Sequence, residues 1–409
     1  MPTPTQTPGR PPAAAPDALI PGRGRSAAPG RTARWRPRGA GPGAAVALLA
    51  LLLPCCGAPP GAAAVVPAGG VYVADALGDT VLQLDAQDGR PAGPPRPAGP
   101  TPWQLAPGPD GALLVLSSDA ERVGELTLLG GPGGRGAPRR VAVGARTRQA
   151  LLAGDGGPLA AVAYTARGGP APAPPAACGL DVVDARAGRV VRTHAVCASE
   201  AEAVTGLAVE NGPVGATVYL AVACPPAPGT GAGAGGAENR VVALDAASGA
   251  RLAVLPLAGL AGALVLARAP DGAGSRLYAI ELAAATNPEE SAGDGARLLR
   301  LDPITLAVER AYPLGFRPRG LVVAPDDDRA YALAAAGHGL VELDLRSGVR
   351  RQLAQVSGAA PGLAVAGPRL YVPDPNGGAV LVLDRRSGDL VARARVGRRP
   401  AGVLAVGPP

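Results

Sequence analysis

The chain has 409 residues, 60 of them Gly and 47 Pro, with 2% aromatic and 47% hydrophobic content. No Gly-X-Y period runs through it, which excludes collagen, and the apolar content excludes a disordered chain. The net charge is +7 and all 39 basic residues are Arg, but residues 1–58 hold seven Arg against one acid, so the near-neutral remainder excludes a basic nucleic-acid surface.

The first predicted element is the Arg-rich leader, 1–58. Its apolar run Ala44–Leu53 is too short to span a bilayer as a mature helix and fits the core of a secretory signal. Small residues allow cleavage after Ala58 or Ala64. Leu52-Leu53-Pro54-Cys55 also has the form of a lipobox that would lipidate Cys55, with Pro54 in place of the usual small residue. Alternatives are an uncleaved signal anchor and a structureless leader on a cytosolic protein. The expected location is extracellular or in the cell envelope, with membrane contact only through the N-terminus. A linker, 59–70, leads into the body, 71–409.

The body is repetitive. Short apolar runs carry Tyr72, Tyr164, Tyr219, Tyr278, Tyr331 and Tyr371, six of the seven Tyr, and a seventh unit has Leu114 instead. After each Tyr comes an apolar run ending in Asp: Asp85, Asp184, Asp245, Asp302, Asp344 and Asp384. In five of these six, Gly follows four residues later, at Gly89, Gly188, Gly249, Gly348 and Gly388. Asp folds its carboxylate onto turn amides and Gly supplies positive φ, which predicts a tight hairpin. Before each Tyr lies a Gly-Leu-x-Val-like run. Each unit therefore reads as four strands, A to D, with Tyr on B and the terminal Asp on C. Seven four-stranded units predict an all-β, seven-bladed β-propeller. The last strand, Gly402–Val406, has no B after it, and the body opens on B at Val71. This predicts closure of the first blade by the C-terminal strand, with Ala62–Val66 as the rival.

These residues resemble the YVTN-family β-propeller repeat. Its Tyr-Val-Thr-Asn appears as Tyr72-Val73-Ala74-Asp75 and Tyr371-Val372-Pro373-Asp374. Its approach to strand A appears as Gly315-Phe316-Arg317-Pro318-Arg319-Gly320 and Gly397-Arg398-Arg399-Pro400-Ala401-Gly402. The resemblance covers nearly the whole body and implies the propeller fold. It implies no single activity, because such repeats serve many roles.

Strand alternation sorts the turns. A–B and C–D turns share one face; B–C and D–A loops share the other. Insertions at 168–177, 225–239 and 283–296 are all B–C loops, in units 3, 4 and 5. They mark either a binding face or tolerated Gly/Ala/Pro expansion. Cys178, Cys197 and Cys224 fall on the same face. A Cys178–Cys197 bridge is the expected pairing, with Cys197–Cys224 or three buried thiols as alternatives. Asp75, Asp79, Asp374 and Asn376 lie in B–C loops there, with His338 in the place of Asp79. The D–A approaches add Trp103, Arg146, Arg148, Arg317, Arg319, Arg398 and Arg399, with Glu200 and Glu202 opposite in sign. An Arg rim suits an anion, and converging carboxylates suit a divalent cation; taken singly, each residue fits a solvated loop. No phosphate loop, Gly-x-Ser-x-Gly elbow or His-Glu-x-x-His motif occurs.

The sequence therefore predicts an exported propeller acting as a binding module for a protein or small molecule on the B–C/D–A face. The alternatives are a lactonase-like hydrolase or lyase using a channel-mouth metal, and a cell-surface structural protein.

Overall fold

The computed structural model describes residues 70–117, 124–130, 137–144, 147–166, 178–197, 202–224, 238–268, 274–283, 295–324, 328–335, 339–356 and 362–406; for 147–149, 166 and 268 it describes the backbone alone. All lie within one compact unit, Ala58–Pro409. The leader with Cys55, the alternative strand 62–66, Arg146, His338 and the interiors of the three insertions lie outside the described residues.

Short apolar runs punctuated by Gly, Pro and Asp cannot propagate helices, and the described residues form 28 strands with one three-residue 3-10 turn. The strands make seven separate four-stranded antiparallel sheets. Blade 2 shows the plan: strand A is Pro102–Pro107, B Leu113–Ser117, C Gly124–Leu129 and D Arg139–Val143. Blades 3 to 7 repeat it, with A strands at Thr147–Ala153, Ala203–Gly212, Leu260–Arg268, Pro318–Val323 and Ala364–Ala366. In blade 1 the C-terminal strand Pro400–Val406 supplies A and pairs with B, Gly70–Asp75, from Gly70↔Val406 to Asp75↔Pro400. Each A strand touches the A strands of both neighbouring blades, in a closed cycle of seven. The result is a seven-bladed β-propeller, closed as the end-matching of the repeats predicts.

The core is divided among the blade interfaces, with one apolar cluster between each adjacent pair. Tyr72, Tyr219, Tyr278, Tyr331 and Tyr371 are almost fully buried and face the next blade. Tyr164 is half-buried and faces the other way, against the cluster shared with the preceding blade 2. Burial pushes the Tyr72 and Tyr371 hydroxyls up to about 12. The few aromatics are thus concentrated where a large side chain fills the wedge between twisted sheets.

The recurring Asp is structural. Asp85 Oδ1 accepts from the Gln87 and Asp88 amides at 2.7 and 3.1 Å. Asp184, Asp302, Asp344 and Asp384 repeat this pair of bonds, and Asp245 accepts from the Ser248 amide and hydroxyl. Turn amides hold Asp85, Asp302, Asp344 and Asp384 below the ordinary carboxylate range; for Asp245 the Ser248 hydroxyl is the largest cause. In five blades the closing Gly has positive φ, and in blade 5 Leu306 takes its place at φ 58°. That conformation costs roughly 1–2 kcal/mol, offset by burying Leu306 in the cluster between blades 4 and 5.

The same turns lock neighbouring blades together. Arg139 of blade 2 donates to the Arg186 and Ala185 carbonyls of blade 3, at 2.7 and 3.4 Å. Arg192 reaches Ala247, Arg310 reaches Leu345 and Arg346, and Arg351 reaches Arg386. Four outer strands thus use Arg to cap carbonyls just after the next blade's turn Asp. A planar guanidinium can serve two such acceptors at once.

Candidate functional site

The face from which the B–C and D–A loops emerge gathers the sequence-derived candidates, and each carboxylate there has a partner. Asp75, at the end of strand B of blade 1, is 3% exposed. Its oxygens accept from the Arg398 amide at 3.1 and 3.2 Å and from the Arg399 amide at 2.8 Å. It therefore pins the loop that brings the chain from blade 7 back to blade 1, and Gly397 beside it leaves no room for a side chain. Asp79 accepts from the Thr101 amide at 2.9 Å, pinning the loop into blade 2. Both have left-handed backbones, φ 55° at Asp79 and 48° at Thr101. For a β-branched residue this is a strained conformation, two positions before Trp103. Asp374 matches Asp75 in sequence but accepts from its own turn, at Gly377, and from Arg393 at 2.7 Å. Asn376 is exposed in that turn.

Asp181 and Glu281, which no sequence motif marked, do the same work, and Glu202, one of the acids expected on the D–A approaches, is held by Arg. Asp181 Oδ2 takes the Gly144 amide at 2.8 Å, and Glu281 Oε1 takes the Gly259 amide at 2.9 Å. Glu202 is bound by Arg240 through both oxygens, at 2.9 and 3.2 Å. All three are almost fully buried. Their signal was available: each is an acid embedded in, or leading into, an apolar strand, where a charge survives only when paired.

These carboxylates do not converge. Among the described residues no group of three or more His, Cys, Asp or Glu is placed to hold a metal ion. Asp75, Asp79 and Asp374 each use oxygens on amides or Arg, so the donor set does not fit a channel-mouth cation, and no metal-dependent step is derived from it.

What the inner strands do share is a bulge. In six of the seven blades the A–B register slips just after strand A begins. The residues skipped are Ala401 in blade 1, Trp103 in blade 2, Arg148 in blade 3, Thr205 in blade 4, Gly262 and Ala263 in blade 5, and Arg319 in blade 6. A bulge leaves its extra residue out of the ladder and re-aims it. Five blades thus leave one residue, and blade 5 two, out of the ladder at the same level of the inner ring, on the D–A side. Trp103 is half-buried against the cluster between blades 2 and 3, and its Nε1 is buried with no hydrogen-bond partner among the described residues. Arg319 is exposed. Thr205 donates to the Ala261 carbonyl of the next inner strand at 2.8 Å. Arg317 and Arg398 have exposed side chains, and their backbones tie into the loop anchors.

Cys178 and Cys197 are joined in a disulfide, with Cα atoms 5.1 Å apart, across strands C and D of blade 3. Closing a loop of 19 residues in the unfolded chain is worth about 3 kcal/mol. Cys224, on the next blade, is a free thiol.

Among solved structures the chain is similar to AztD from Citrobacter koseri, at 18% identity and a TM-score of 0.50, over 83% of this chain and 98% of that one. It is similar to the dihydro-heme d1 dehydrogenase NirN in complex with DHE, at 16% identity and 0.52, over 83% and 75%. It is also similar to a putative 6-phosphogluconolactonase from Bacteroides uniformis, at 14% identity and 0.58, over 83% and 99%. At these identities the likeness is one of fold. No family model and no curated protein matches the chain.

Proposed function

We propose that the protein is an exported binding module of YVTN-like repeats, and that its ligand is a small anion held at the inner-strand bulges on the B–C/D–A face. The observation that carries this reading is the shared bulge itself. Six blades slip at one level, yet the residues left out of the ladder differ: Trp103 and Arg148 in the adjacent blades 2 and 3 and Arg319 in blade 6, against small Thr205, Gly262, Ala263 and Ala401 in blades 4, 5 and 1. A ring that needed only to close could repeat one small residue. Small residues leave room, the exposed Arg319 supplies positive charge, and Trp103 adds a half-buried aromatic body. Export is supported by the signal-like leader and by the disulfide, which persists in oxidising compartments. The binding reading is preferred to the hydrolase reading because the candidate metal ligands are occupied by loop amides and Arg.

Trp103 provides the test. The only other Trp is Trp35, in the leader, so Trp35→Phe isolates the Trp103 emission. Titration of that variant with citrate, and separately with inorganic phosphate, is expected to change the emission saturably with at least one of them. Arg319→Ala is then expected to weaken binding about tenfold, the value of one charge-assisted bond. Unchanged Trp103 emission with both anions, or a response indifferent to Arg319→Ala, would contradict the reading.

A further inference from the structure

Each outer D strand ends its sheet, so one side of its backbone is unpaired by its own blade. Such an edge is a template for another strand unless shortness, Pro or charge blunts it. In blade 1, strand D is only Arg96–Pro97. In blades 4 and 5 it ends in Pro, at Arg251–Pro256 and Val308–Pro313. In blades 2, 3 and 6 it carries two Arg and no acid, so a second copy of the same strand is repelled.

Strand D of blade 7, Leu390–Arg395, is built differently. It has no Pro, and Ala392 stands at the register position that holds the clamps Arg192 and Arg310 in blades 3 and 5. It opens on Leu390 and Val391, which are 59% and 44% exposed. Asp389 lies just before it and Arg395 ends it. Both are exposed, and among the described residues neither side chain is in an ion pair, whereas Arg393 is engaged by Asp374. The Val396 amide donates to the Gly378 carbonyl at 3.2 Å. Antiparallel pairs alternate between bonded and unbonded, so Ala394 and Ala392 also bond strand C, and Arg393 and Arg395 turn their backbone groups outward. Val391, left out of the ladder by the register slip, precedes Arg393 by two and shares that outward phase.

We propose that this edge docks a second copy of the chain, two blade 7 sheets joining antiparallel about a two-fold axis at Ala392. In that register Val391 lies opposite Arg393 of the partner subunit and Leu390 opposite Ala394 of the partner subunit. Asp389 meets Arg395 of the partner subunit, and the symmetry makes this pair twice. A shift of two residues one way sets Arg393 against its own copy. The same shift the other way brings Asp389 to Arg393, which Asp374 already holds, and leaves Arg395 without an acid. A strand with opposite charges at its two ends is thus complementary to itself, which is what a closed two-fold interface requires. Outward backbone groups supply the bonds, and the two ion pairs set the register. The edge is on the outer wall and is independent of the channel-mouth reading.

The experiment is sedimentation velocity of the full chain over a concentration series. A reversible monomer–dimer equilibrium is expected. Asp389→Arg should raise its dissociation constant about tenfold, because two exposed attractions become repulsions. Arg395→Asp should do the same, and the double variant, which exchanges the charges, should restore the original value. Unfolding midpoints check that blade 7 stays intact in each. Amide exchange of Arg393 and Arg395 should be fast in dilute protein and slow as the dimer fills; this comparison needs no variant and decides alone if a variant unfolds. A monomer at every concentration, a dimer indifferent to the single substitutions, a folded double variant no tighter than the single ones, or exchange at Arg393 and Arg395 that ignores concentration would overturn the proposal.

Discussion

A chain truncated at Arg399 is expected to lose its cooperative fold. The missing segment is the inner strand of blade 1, which pairs with Gly70–Asp75 along its full length. Val403 and Ala405 pack into the cluster between blades 7 and 1, and Leu404 and Val406 into the cluster between blades 1 and 2. Four half-buried apolar side chains are worth roughly 1 kcal/mol each, and the ladder adds about 1 kcal/mol per hydrogen bond. Their sum approaches the whole marginal stability of a domain, about 5–15 kcal/mol. The loss is also not local. An opened ring leaves strand B of blade 1 as a buried apolar edge with unpaired amides, a template for aggregation. Urea denaturation followed by circular dichroism should show no sigmoidal transition, or a soluble yield too low to measure one. A truncated chain that unfolds at the midpoint of the full chain would show that blade 1 does not depend on this strand.

Asp75→Ala is expected to destabilise the protein by about 3 kcal/mol, the cost of removing a buried carboxylate acceptor from two backbone amides. The effect follows from position. Asp75 holds the loop that delivers the closing strand, so its loss loosens the joint on which the ring depends. Asp75→Asn keeps one acceptor oxygen and should recover about half of the loss. Asp374→Ala, at the matching position of blade 7, should cost no more than about 1 kcal/mol, because its Arg393 partner is half-exposed and solvent screens the pair. Chemical denaturation of the three variants gives the ranking directly. Equal effects at Asp75 and Asp374 would mean that the shared motif, and not the loop contact, sets the energy.

The contrast between these two aspartates shows where sequence reading stops. Tyr72-Val73-Ala74-Asp75 and Tyr371-Val372-Pro373-Asp374 are nearly one motif. The strand, its burial and its place in the blade were legible from it. The carboxylate's partner was not, because it lies on a loop set by ring closure, 323 residues away for Asp75 and three for Asp374. The Asp-x-x-x-Gly turns were fully legible, since their bonds run two to four residues along the chain. Even Leu306, in the position of Gly, left the Asp302 turn intact. The Arg clamps were invisible for the opposite reason: Arg139 and its acceptor are 47 residues apart, on different blades. The bulges had no one-dimensional mark either. A bulge is a slip between two strands, and neither strand records it alone. Trp103 and Arg319 were singled out for lying on D–A approaches; that the inner ring skips both of them, as it skips Thr205 and Ala401, emerges only from the pairing register.

Closure of the seven blades through the C-terminal strand underlies every other statement about this molecule, and native-state amide hydrogen exchange tests it most directly. Strand B of blade 1 is buried throughout and paired on both sides, with Tyr72 opposite Gln83 and Leu404. Amides of Val71, Tyr72 and Val73 should therefore be protected as strongly as those of Leu370, Tyr371 and Val372 in blade 7. Fast exchange confined to the blade 1 strand, with blade 7 protected, would show an open ring and contradict the account.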